Sequence, residues 1–64
     1  MNRYQFEVLR FCTEFGKATQ REMAEKTGLS LGSVNKAVKE LAHRGFLKED
    51  GTPSQEGLDA LESY

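Results

Sequence analysis

The chain has 64 residues, a formal net charge of −1 and 38% hydrophobic residues, so it buries only about 60% of its unfolded surface and has room for one small core but no enzyme cleft. One cysteine and one histidine supply neither an internal disulfide nor a metal-ligand set. With no apolar run near the ~18 residues of a membrane span, and no secretory h-region at the start, we expect no membrane partner. We therefore expect one domain over residues 1–64 that is not an enzyme, is cytoplasmic, and takes no cofactor or metal.

Asn2 is placed to cap a first helix over about 3–15, on which Tyr4, Val8, Phe11, Cys12 and Phe15 form an apolar stripe that predicts burial, with Gly16 ending it. Phe6 and Leu9 lie off that stripe and offer an apolar flank to a second neighbour or a partner. No histidine or cation sits at helical spacing from Cys12, which reads as a small buried hydrophobe and not a nucleophile.

The stretch "TQRE" then carries a capping box, in which Thr19 accepts from the backbone of Glu22 and Glu22 reaches back to Thr19. A short second helix over about 20–27 follows, with Met23 and Ala24 inward, ending at Gly28. Ser30 is an N-cap for a third helix over about 31–44. Only Thr27, Gly28 and Leu29 separate the two helices, which is the glycine-containing gap of a helix-turn-helix.

The third helix has two faces. Leu31, Val34, Ala37, Val38 and Leu41 form an apolar side, and Gly32, Asn35, Lys36, Lys39 and His43 lie opposite, with Ser33 and Glu40 at the margin. Small residues at its start would let a helix approach a groove closely. Asn35 can pair with adenine, and Lys36 and Lys39 can reach guanine edges or phosphates. Near the helix C-terminus, His43 is at a position that favours a cation, and when protonated it could contact phosphate. Lysine and asparagine are also routine on a solvated face, and the residues alone leave both readings open.

Gly45 ends the third helix, and "FLKEDGTP" predicts a small β-hairpin over about 46–53 with a tight Asp50-Gly51 turn. Phe46 and Leu47 would anchor it. Ser54 caps a fourth helix over about 55–63, with Leu58, Ala60 and Leu61 turned to the core and Glu56, Asp59 and Glu62 to solvent. The expected fold is mainly α with a small β-hairpin.

Charge is polarised along this order. Residues 1–16 are neutral, and residues 17–48 set Lys17, Arg21, Lys26, Lys36, Lys39, Arg44 and Lys48 against Glu22, Glu25 and Glu40, a net of +4. Residues 49–64 carry Glu49, Asp50, Glu56, Asp59 and Glu62 with no cation, a net of −5.

The segment "TQREMAEKTGLSLGSVNKAVKELAHRGFLKEDGTPSQEGLDAL" resembles the winged helix-turn-helix domain of MarR-like bacterial regulators. The resemblance rests on the helix pair, on a leucine-x-x-x-glycine-apolar junction (Leu41, Gly45, Phe46) and on the start of the last helix (Ser54, Gly57, Leu61). It implies a three-helix core, a short wing, a C-terminal helix, and transcriptional regulation through double-stranded DNA. In such domains the second helix of the pair enters the major groove, here Ser30 to Arg44, with Ser33, Asn35, Lys36 and Lys39 as readers. The start of the preceding helix, Thr19, Gln20 and Arg21, would touch phosphate. The wing tip here is Glu49-Asp50-Gly51, whose carboxylates phosphate would repel. A domain this small would bind weakly alone, which implies a homodimer or a covalently linked catalytic domain.

The helix pair together with the terminal "GLDALESY" is also similar to the N-terminal module of some sugar-phosphate or choline-phosphate nucleotidyltransferases. That resemblance implies a regulatory or interaction module ahead of a catalytic domain, with Tyr4, Phe6, Leu9 and the fourth helix as its docking face. No glycine-rich nucleotide loop occurs in these residues.

Overall fold

A computed structural model describes residues 1–16 and 18–64; Lys17, counted above in the basic middle segment, lies outside the described residues. The elements are α1 (Arg3–Phe15), α2 (Gln20–Thr27), α3 (Leu31–His43) and α4 (Gln55–Ser63). Each begins at a local cap. The side chains of Asn2, Thr19, Ser30 and Ser54 accept from the backbone N–H groups of Gln5, Glu22, Ser33 and Gly57, which removes one unsatisfied donor from each helix start. Asn2 and Thr19 close reciprocal boxes with Gln5 and Glu22, as expected for the second of them. Gly28, in the left-handed conformation, closes α2 and turns the chain toward α3.

The core consists of Val8, Leu9, Phe11 and Cys12 from α1, Met23 from α2, Val34, Ala37 and Leu41 from α3, and Leu47 beyond it. Burying one such aliphatic side chain is worth about 1.5–3 kcal/mol. Because α1 is packed by α2, α3 and α4 together, its buried face is broader than the expected stripe and differs from it. Leu9, placed on the flank by periodicity, is fully buried, while Tyr4 and Phe15, near the helix ends, are exposed. Leu31 and Leu58, expected in the core, are also exposed. Leu61 does pack against the core.

The hairpin expected over 46–53 does not form as strands. An isolated antiparallel bridge joins Leu47 and Pro53, flanked by Lys48 N–H to Thr52 C=O at 2.8 Å and Ser54 N–H to Phe46 C=O at 2.9 Å. Pro53 has no N–H to extend a ladder, and Ser54 is already committed as the cap of α4. The chain turns here through three residues, 49–51, and not the expected two: Gly51 N–H donates to Lys48 C=O at 3.0 Å, which centres the turn on Glu49 and Asp50, and Thr52 N–H donates to the Asp50 carboxylate at 3.0 Å.

The junction after α3 is built by Leu41, Gly45 and Phe46 acting together. The Phe46 N–H donates to Leu41 C=O at 2.9 Å and the Gly45 N–H to Ala42 C=O at 3.1 Å, a Schellman arrangement with Gly45 at φ 80°. Arg44 is the C-cap, so α3 stops at His43, one residue short of the expected end. Ser54 Oγ donates to Gly45 C=O at 2.5 Å and accepts from Gly57 N–H at 3.1 Å. Gly57 is buried against the Phe46 carbonyl, where a methyl group would collide.

Candidate nucleic-acid interface

The turn and caps just described present the outer face of α3 to solvent. Gly32, Lys36, Lys39 and His43 are exposed, and Ser33 and Asn35 are half-buried. Among the described residues the one ion pair joins Arg10 and Glu14, on α1, so neither Lys36 nor Lys39 is held in an ion pair there. Lys36 also borders a shallow cleft with Tyr4, Gln5, Ser33 and Glu40.

The small residues at the start of α3 play different roles. Ser30 Oγ accepts from Ser33 N–H at 3.1 Å and donates to Ser33 Oγ at 2.9 Å, so both hydroxyls are engaged locally. Gly32 has no neighbour within 4 Å of where a Cβ would stand. None of the described residues requires glycine there, although glycine inside a helix costs about 0.5–1 kcal/mol relative to alanine.

The start of α2 meets this face through a side-chain bond. Asn35 Nδ2 donates to Gln20 Oε1 at 3.0 Å, bringing together two residues named separately from the sequence. Thr19 is occupied by its own box: its hydroxyl accepts from Glu22 N–H at 3.1 Å and donates to the Glu22 carboxylate at 3.2 Å. Arg21 is exposed and is the cation at this end.

Sequence reasoning missed two features here. The Gln20–Asn35 contact depends on how α2 and α3 cross, and no local spacing signals it. Leu31 had a weak signal, since it sits at the edge of the apolar side and in the first turn, where few neighbours reach it. It is 48% exposed.

Elsewhere, Cys12 is buried, with Sγ 4.0 Å from Met23 Sδ. Burial pushes its thiol above its ordinary value, opposed by a backbone hydrogen bond. That is the opposite of an activated thiolate. Among the described residues no group of three histidine, cysteine or acidic side chains could hold a metal, and no helix is long and apolar enough to cross a membrane. The docking face implied by the second resemblance loses Leu9, which lies in the core, while Phe6 is half-buried with its ring stacked on the exposed Tyr64 at 4.6 Å.

A helix pair joined by a glycine turn, on a small helical core with a short loop between α3 and α4, defines a helix-turn-helix domain. The sequence matches the MarR family over residues 1–56. The chain belongs to that family of winged helix-turn-helix regulators. No curated protein matches it.

Proposed function

We propose that this chain regulates transcription in the cytoplasm by reading the DNA major groove with the outer face of α3. Ser33, Asn35, Lys36 and Lys39 meet base edges and neighbouring phosphates, His43 lies toward the backbone, and Ser30 sets where the helix begins. Gln20 and Arg21 at the start of α2 approach phosphate, where a helix N-terminus favours anions. Thr19 contributes by fixing that start. The observation that carries this reading is Gly32, an exposed glycine in a helix with open space around it. Its cost to the helix has no compensation among the described residues, whereas close approach to a groove supplies one.

The loop between α3 and α4 contributes little grip, since Glu49 at its tip would be repelled by phosphate. About four or five phosphate contacts give weak binding at physiological salt, so a pair of copies on a two-fold related site is the working form. The test is a fluorescence-anisotropy titration against genomic duplexes at several salt concentrations. The reading requires binding that weakens steeply with salt. A flat signal at every salt concentration rejects it.

A further inference from the structure

We infer that Gln20 positions Asn35 to select adenine, and that Leu31, one turn earlier on α3, selects a thymine beside it. This deepens the DNA-reading proposal above and rests on it.

A free asparagine amide offers two N–H donors and one acceptor oxygen, and it can rotate to meet several bases. Here one donor is committed: Asn35 Nδ2 bonds Gln20 Oε1 at 3.0 Å. One N–H and Oδ1 remain. Adenine presents one acceptor, N7, and one donor, the N6 amino group, in the major groove, which is the complement of that remainder. Guanine presents two acceptors, N7 and O6, and needs two donors. Asn35 held by Gln20 has only one to give, so the pairing that fixes its orientation also removes its match to guanine.

Leu31 precedes Asn35 by four residues and is therefore its neighbour on the helix surface. It is 48% exposed, a large apolar side chain in the first turn of α3. The one apolar group a base pair shows in the major groove is the thymine C5-methyl. Leu31 beside Asn35 thus places a methyl-contacting surface next to an adenine-pairing amide, and the pair reads an A·T-containing step.

The experiment measures duplex affinity of the chain and its variants on a bound site, with every position replaced in turn by each other base pair and, separately, every thymine by uracil. Uracil removes only the methyl. The unaltered chain should lose at least about five-fold at one adenine replaced by guanine, the lower end of what a bidentate base contact discriminates. Asn35→Ala and Gln20→Ala should each flatten that preference, and the double variant should flatten it no further. Gln20→Glu keeps the acceptor oxygen and should restore the adenine preference, even where its added charge weakens binding to all duplexes equally. Leu31→Ala should abolish sensitivity to uracil at one neighbouring position and leave the adenine preference intact. Melting curves establish that each variant is folded, and Gln20→Met, of similar size but with no acceptor oxygen, carries the test if Gln20→Ala is not folded. Duplex binding with a base profile unchanged by Gln20→Ala and Leu31→Ala overturns this inference while the DNA-reading proposal stands. Failure of the unaltered chain to bind any duplex overturns both.

Discussion

Gln5 on α1 donates its side-chain amide to the carboxylate of Glu40 on α3. Gln5 is 3% exposed and is the one buried polar side chain among the described residues. Its Oε1 also accepts from the Asn2 backbone N–H at 3.3 Å, so a single side chain closes the α1 cap and ties α1 to α3, the helix proposed to read DNA. A hydrogen bond to a charged group is worth about 1.5–3 kcal/mol. Gln5→Ala should therefore lower the melting temperature by roughly 6 °C or more, at about 4–8 °C per kcal/mol for a domain of this size. Glu40→Gln, which retains an acceptor, should cost less than Glu40→Ala. Equal losses for the two Glu40 variants in thermal melts would show that the hydrogen bond does not matter.

Gly32 and Gly57 should respond in opposite directions to the same substitution. At Gly32 an added methyl meets open space, so Gly32→Ala should stabilise the free protein by about 0.5–1 kcal/mol while weakening duplex binding. At Gly57 the methyl collides with the Phe46 carbonyl, and overpacking of that kind costs about 1–3 kcal/mol. Urea titrations of both variants, with anisotropy for Gly32→Ala, check this. Tighter duplex binding by Gly32→Ala would remove the close-approach argument.

Lys36 and Lys39 are exposed and carry no ion pair among the described residues. Replacing either by alanine should leave the melting curve nearly unchanged. If the lysine meets phosphate, the slope of log affinity against log salt should fall by about 0.9 for each phosphate left without its cation. If it meets a base edge, affinity should fall on one sequence and little on others. Unchanged affinity for both variants would take α3 out of the interface.

Cys12 gives a pH signature. Burial raises its thiol above the ordinary 9.0, so the unfolded chain releases that proton first as pH rises past this value. Below it both states hold the proton and the thiol makes no pH-dependent difference. Above it stability should decline, because the folded state binds more protons than the unfolded one. In urea unfolding between about pH 8 and about pH 10, the margin of the unaltered chain over Cys12→Ala should shrink as pH rises. A constant margin would contradict the burial effect.

The helix starts were legible because each is decided within a few residues. Asn2, Thr19, Ser30 and Ser54 carry acceptors that reach a backbone N–H three positions on, and that spacing is visible in the sequence. Tertiary placement was not legible in the same way. Leu9 is buried and Tyr4 exposed because three helices cover α1, where a single stripe assumes one neighbour. A reversal near Asp50 was legible, but neither its centre at Glu49-Asp50 nor the lack of a hairpin was: Pro53 and the Ser54 cap leave no return strand to pair. For the interface, the outward residues of α3 followed from its periodicity. The Gln20–Asn35 bond did not, since it joins residues 15 apart whose meeting depends on a helix crossing.

Local capping also has a kinetic meaning. Each helix can nucleate from its own flanking residue before any distant contact exists, which offsets part of the unfavourable first turn. Chains dominated by short-range contacts fold in about microseconds to milliseconds. An unbound copy that opens transiently would thus recover α3 quickly, and brief excursions would leave little time for proteolysis or for pairing with the wrong neighbour.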